Sequence, residues 1–323
     1  MSDLSGARIL VTGGAGFIGS HLVDALLDEG AESVAVVDTF FLGREENLGA
    51  ARERHGDALT VYREDAGDLG AMTAVCQAER PDVAFNLATK ALLYSFFHPV
   101  GAFQVNVSIA TALAELLRSG ALRRLVHLST SEVYGSARQI SMNEEHPLLA
   151  ETSYAAGKAA ADLLLMSYVN MYAIDVVTVR PFNNYGPRQN DGAFAAIVPL
   201  TIRRLLEGSP PVVEGDGLQT RDFIYVQDTV AAIVALATLD GVSGQTLNLG
   251  SGRETAINEV VETLCDIAGY AGEIERAPAR VADVRRHRAD VGRAEGLLGP
   301  VAPTGLRDGL EWTYAWHAAA VGA

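Results

Sequence analysis

The chain has only two cysteines, Cys76 and Cys265, far apart in its 323 residues. That excludes a disulfide framework and any cysteine-based metal motif, and it fits a reducing compartment. Positive charge is also scarce: 25 lysines and arginines face 40 aspartates and glutamates, for a net charge of −15 at pH 7. Phosphate backbones and anionic headgroups are repelled by such a surface, so neither nucleic acid nor membrane is an expected partner. No apolar run of membrane-spanning length is expected. No basic, apolar leader precedes the first strand-like run, and the expected location is the cytoplasm. Any anionic ligand would need a local group of arginines. The remaining composition, 49% hydrophobic and 20% charged, is that of a globular protein with a sizeable core.

What is there begins near residue 9. Ile9 to Val11 is a short apolar run followed by Gly13, Gly14, Gly16 and Gly19, with Phe17 and Ile18 between the last two, and then a helical pattern through Asp28. Such glycines let the backbone turn sharply and approach a pyrophosphate at the N-terminus of the following helix. A second apolar run, Val34 to Val37, ends in Asp38, nineteen residues after Gly19. A carboxylate there accepts hydrogen bonds from the adenosine ribose hydroxyls and repels a 2′-phosphate. The pattern points to NAD rather than NADP.

Strand-like runs recur at 8–11, 34–37, 59–62, 82–87, 123–128 and 174–179, mostly separated by helical patterns such as Ser20 to Asp28, Leu69 to Ala78 and Val105 to Leu117. This alternation predicts an α/β fold built on a doubly wound parallel sheet. After Arg180, prolines and glycines break the chain into short segments. The expected organisation is an NAD-binding domain over 1–180 and a smaller substrate lobe over 181–323, parts of which return to the first domain. Six arginines stand among acids in residues 271–293, and a last amphipathic helix is expected from Leu306.

Tyr154 and Lys158 lie four apart at the start of a helical pattern that runs to about Tyr172, so both project from one face. An ammonium near a phenol, together with a nicotinamide cation, favours the phenolate and makes a general base at neutral pH. Ser129, Thr130 and Ser131 follow the strand-like run ending at Leu128, at the carboxyl edge where doubly wound sheets place ligands. A hydroxyl there could hold a substrate oxygen.

With these residues in hand, the chain resembles the extended short-chain dehydrogenases/reductases of the nucleotide-sugar epimerase and dehydratase family. The match extends to Asn86-Leu87-Ala88, Asn106-Val107, Ser129 to Gly135, Arg180 to Arg188, Gly215 to Phe223 and Leu249 to Gly252. The resemblance implies a Rossmann-like fold and a nucleoside-diphosphate sugar substrate. It implies that Tyr154 removes the 4-hydroxyl proton while hydride passes from C4 to bound NAD, with Thr130 bonded to that oxygen. Lys158 would anchor the nicotinamide ribose and keep Tyr154 acidic; Asp65 and Ala66 would flank the adenine; Leu87, Ala88 and Ser129 would line the cofactor. Asn183, Arg188, Arg221 and Arg280 would grip the nucleotide diphosphate. A homodimer through the helices at Val105 to Leu117 and Ala155 to Tyr172 is also implied. Plainer alternatives stand beside these: Asn183 capping a turn, and Arg221 or Arg280 in a solvated ion pair.

A C4 ketone acidifies the C5 proton, so epimerisation, dehydration across C5 and C6, and loss of a C6 carboxylate all become reachable. Glu132 supplies a carboxylate where C5 proton abstraction needs one, unless it merely caps a turn. Many dehydratases of the family carry aspartate before that glutamate, and this chain has Ser131. Lys90 stands in a loop that is about one residue shorter than the family form and should border the sugar, or else lie exposed. Dehydration is the first expectation, 4-epimerisation the second and decarboxylation the third. A non-catalytic NAD-binding sensor and a reductase that releases its cofactor are the rivals from other classes. No metal is expected.

Overall fold

The computed structural model describes residues 4–279 and 285–321. Its centre is a seven-stranded sheet. β1 (Arg8–Thr12), β2 (Ser33–Val37), β3 (Leu59–Tyr62), β4 (Val83–Asn86), β5 (Arg124–Leu128) and β6 (Asp175–Pro181) pair in parallel, and β11 (Thr246–Leu249) completes the edge, in the order β11-β6-β5-β4-β1-β2-β3. The helices between them are α1 (Phe17–Asp28), α2 (Gly49–His55), α3 (Leu69–Glu79), α4 (Pro99–Arg118) and α5 (Ser153–Tyr172). The predicted α/β alternation is present.

The strands read as continuous apolar runs because both faces of the sheet are covered. Leu10, Ala35, Ala84, Leu125 and Val176 form one in-register row, packed with Met72 and Val75 of α3, Ile109 and Leu113 of α4, and Leu165 of α5. Two residues further on, the next row on that face reads Val37, Thr12, Asn86, His127 and Thr178. This second row turns polar at the carboxyl ends of the strands.

One expectation needs correction. α4 is long and apolar enough to cross a membrane, with a mean hydropathy of 1.5 over its best window. It is a core helix whose Ala102, Ile109, Ala110, Leu113 and Leu117 are buried, with Gln104, Asn106 and Ser108 interrupting its apolar residues.

The chain divides into two compact units. The first comprises Met1–Val133, Thr152–Arg180 and Val230–Leu247, and the second Tyr134–Glu151, Pro181–Thr229 and Asn248–Ala323. In the second, β7 (Asn183–Tyr185) pairs in parallel with β10 (Phe223–Tyr225), β9 (Thr220–Arg221) runs antiparallel to β12 (Thr255–Ala256), and β8 (Val212–Glu214) pairs with β13 (Glu275–Ala277). Helices α6 (Ile197–Leu206), α8 (Ile257–Ala268) and α10 (Leu306–Val321) pack together there, α10 beginning at the expected Leu306. Between them in the chain lie α7 (Val226–Thr238) and α9 (Gly292–Leu298).

Candidate active site

The turn from β1 into α1 is shaped for a pyrophosphate. Gly13 has φ +74°, and a Cβ there would lie 2.7 Å from the Ala88 backbone nitrogen, so only glycine fits between the two loops. α1 starts at Phe17 with no side-chain cap on its first amides, which leaves the N–H groups of Phe17 and Ile18 for an anion. Asp38 follows β2 and takes one backbone hydrogen bond on each carboxylate oxygen, from Ala15 N at 3.0 Å and Phe40 N at 2.8 Å. Each oxygen keeps a lone pair for a ribose hydroxyl. Burial raises the Asp38 carboxyl above its ordinary value, and the Phe40 and Ala15 amides oppose this.

Asp65 accepts from Gly67 N at 2.8 Å, folding the turn that buries Ala66. Leu87 N bonds the Thr12 carbonyl oxygen at 3.0 Å, and Ala88 N reaches Thr12 Oγ1 at 3.4 Å. The residues present therefore fit an NAD cradle along the carboxyl ends of β1, β2 and β4. Lys90 is half-buried. Its ammonium stands 3.5 Å over the Phe41 ring, and Asp65 and Asp38 oppose the lowering that burial imposes on it.

The hydroxyls and the Tyr/Lys pair come together in the first unit. Ser129, Thr130 and Ser131 are buried in the turn after β5, and Glu132, half-buried, donates its backbone N–H to Thr130 Oγ1 at 3.2 Å. Thr152 caps α5 by accepting from Ala155 N at 3.2 Å, which fixes where Tyr154 and Lys158 emerge. Desolvation pushes the Tyr154 phenol up to about 12, the Glu132 charge acts the same way, and the Thr130 and Thr89 hydroxyls oppose it. Lys158 is buried, donates to the Leu128 carbonyl oxygen at 2.8 Å, and is held down to about 8 by desolvation. In the protein alone, burial therefore works against the phenolate expected at Tyr154.

Sequence reasoning gave no role to Thr89, whose hydroxyl acts on Tyr154 and donates to Asn106 Oδ1 at 2.8 Å. Nor did it single out Asp162, one turn beyond Lys158. Asn106 and Thr89 both stood beside noted motifs, and Asp162 follows Lys158 at the i, i+4 spacing.

In the second unit, β7 and β10 bring Asn183 beside the segment that carries Arg221. The Asn183 backbone N–H donates to the Asp222 carbonyl oxygen at 2.9 Å, and Arg221 Nη1 to the Thr220 oxygen at 2.8 Å. Asp222 is fully buried and accepts from Ser251, Gly252 and Ala289, pinning these loops. Arg188, at φ +64°, follows the turn after β7. Arg280 lies outside the described residues. Among the described residues no group of histidines, cysteines and acids could hold a metal ion.

Residues 9–250 match the model of the NAD dependent epimerase/dehydratase family. The chain belongs to this family. It is 36% identical to UDP-glucose 4-epimerase of Mycolicibacterium smegmatis, over 95% of this chain and 97% of that protein. It is 35% identical to dTDP-glucose 4,6-dehydratase of an Actinoplanes species, over 97% and 98%. UDP-glucuronic acid decarboxylase 1 of Xenopus tropicalis is 33% identical, over 97% of this chain and 72% of that protein. The fold superposes on dTDP-glucose 4,6-dehydratase of Streptomyces venezuelae, solved with NAD bound, with a TM-score of 0.91, 30% identity and 98% coverage of both chains. The family is NAD-dependent and its members modify nucleotide sugars, with relatives at near-equal identity divided among three reactions.

Proposed function

We propose that the chain is a nucleoside-diphosphate-hexose 4,6-dehydratase that works through transient oxidation at C4. The observation that supports this best is Glu132. Its carboxylate stands in the turn after Thr130 and acts on the Tyr154 phenol, so a second base lies beside the group that starts the reaction. Bound NAD supplies the hydride acceptor and a positive nicotinamide ring.

Tyr154 takes the proton of the 4-hydroxyl, Thr130 orients that oxygen, and Lys158 holds the nicotinamide ribose. Glu132 then removes the C5 proton, which the C4 ketone has made acidic, and passes it to the 6-hydroxyl, which leaves as water. With NAD bound, hydride would return to C6 and Tyr154 would give the proton it holds to C5, leaving a 4-keto-6-deoxy sugar. Asn183, Arg188 and Arg221 are assigned to the nucleotide diphosphate. A second reading, 4-epimerisation, is favoured by Ser131, because a hydroxyl is a weak acid for expelling the 6-hydroxyl. We also infer a homodimer. Phe97, Val100, Leu163 and Met171 on or beside α4 and α5 are 63–73% exposed, and a second copy would cover them.

Incubation with uridine, thymidine and guanosine diphosphate hexoses, N-acetylhexosamines and uronic acids, followed by product mass, tests the reaction. Loss of one water supports the dehydratase. Unchanged mass at a new retention time means epimerisation, and loss of carbon dioxide means decarboxylation; either overturns the first reading.

A further inference from the structure

A polar chain runs through the apolar core beneath the catalytic helix. Thr12 pairs in register with Asn86, and Asn86 with His127, so the three side chains leave one face of the sheet. All three are buried. The chain has a direction. Ala88 N donates to Thr12 Oγ1 at 3.4 Å, which leaves the hydroxyl proton for Asn86 Oδ1 at 2.7 Å. The Asn86 amide thereby turns its NH2 group to His127 Nδ1, 2.9 Å away. With Nδ1 accepting, the neutral imidazole carries its proton on Nε2. That nitrogen faces Asp162 Oδ1 at 3.7 Å. Burial holds His127 well below the ordinary imidazole value, and the Lys158 and Arg180 charges act the same way, so the ring is neutral.

Asp162 Oδ1 stands 3.7 Å from His127 Nε2, beyond hydrogen-bond length, and its other oxygen accepts from Arg180 Nε at 2.9 Å. Burial raises its carboxyl, and Arg180 is the strongest influence against that. Asp162 stands one helical turn beyond Lys158, and it is the charge that opposes desolvation of the ammonium. The hydrogen bond from Lys158 to the Leu128 oxygen satisfies a donor but brings no full negative charge. A buried ammonium without an anion gives up its proton. The groups coupled here are Lys158, Asp162 and Tyr154 on α5, His127 on β5, Arg180 on β6 and Glu132 after β5.

We propose that Asp162, one helical turn from Lys158 and held by Arg180, is the positioning residue that keeps Lys158 charged. This deepens the assignment of Lys158 to the cofactor ribose and rests on it.

Lys90 and Lys158 are the only lysines in the sequence. Protein labelled with carbon-13 at the lysine ε-carbon therefore gives two resonances, assigned with Lys90→Arg, and the Lys158 shift is followed against pH in the NAD-loaded protein. Asp162→Asn is expected to lower the Lys158 midpoint by roughly one pH unit or more. That variant leaves Arg180 without its anion, so Asp162→Asn/Arg180→Gln is measured beside it. Arg180 is not among the influences on Lys158, and the same shift is expected. Asp162→Glu, which keeps the charge, is expected to restore most of the midpoint. A double variant with an unchanged midpoint would overturn the proposal and make Asp162 a partner of Arg180 alone. The midpoint is read without turnover, so a failure of the dehydratase reading leaves this result separate.

Discussion

Lys158 Nζ donates a 2.8 Å hydrogen bond to the carbonyl oxygen of Leu128, tethering the cation on α5 to the last residue of β5. Desolvation holds this ammonium down to about 8. The charged form is complete below that value and is lost as pH rises through it. The rate of C4 oxidation should therefore fall above about pH 8, unlike that of an enzyme whose lysine titrates near its usual ~10.4. Lys158→Arg should be slower throughout and show no such alkaline limb, since guanidinium stays charged. A pH–rate profile of single-turnover NAD reduction checks both, and a wild-type profile flat to pH 10 would rule out control by this group.

Asp38 is expected to set the preference for NAD. Its carboxylate accepts from Ala15 and Phe40, and Lys90 and Arg63 both act on it electrostatically. Removing the carboxylate should leave those two cations facing a 2′-phosphate. Asp38→Ala is expected to weaken NAD binding by ~10-fold or more and to bring NADP within reach of it, since an unpaired buried donor costs ~1–3 kcal/mol. Calorimetric titration with both cofactors is the measurement, and unchanged discrimination would move selectivity elsewhere.

Tyr154→Phe removes one oxygen from a partly buried ring at the second position of α5 and leaves the Thr152 cap untouched. The thermal midpoint should stay close to wild type while NAD reduction falls by ~10²–10⁴-fold, the usual contribution of a positioned base. A fall of less than ~10-fold would mean that another group takes the 4-hydroxyl proton.

The parts of this site that were legible in the sequence are those with local causes. Gly13 and Asp38 declare themselves because a turn and a strand end dictate residue type within a few positions. Tyr154 and Lys158 share a helix face by their four-residue spacing alone. The His127 tautomer was not legible, since it depends on strand register across β1, β4 and β5 and on Ala88 closing the far end of the chain. The surroundings of Lys90 were not legible for a similar reason: Phe41 and Asp65, which act on it, come from loops remote in sequence.

Glu132 separates the two leading reactions. If it takes the C5 proton, Glu132→Gln should stop water loss while C4 oxidation continues, so reduced NAD and a 4-keto sugar accumulate. The same change also removes a charge that raises the Tyr154 phenol, so the first step should not slow for electrostatic reasons. Absorbance at the reduced-nicotinamide band together with product mass reads both steps. Equal dehydration rates with and without the carboxylate would demote Glu132 to a turn residue.

Gly157, between Tyr154 and Lys158, is a packing site rather than a flexible one. A Cβ placed on it would lie 2.8 Å from the Phe103 carbonyl oxygen of α4. In an isolated helix, alanine is favoured over glycine by about 1 kcal/mol. Here that gain is set against overpacking of two buried helix backbones, typically 1–3 kcal/mol, and the clash wins because neither backbone can rotate away like a side chain. Gly157→Ala should therefore destabilise the protein by ~1–2 kcal/mol in urea unfolding. It should also weaken NAD retention, because displacing α5 from α4 carries Lys158 off the Leu128 carbonyl. A stabilised variant with full cofactor content would show that the two helices have room to separate.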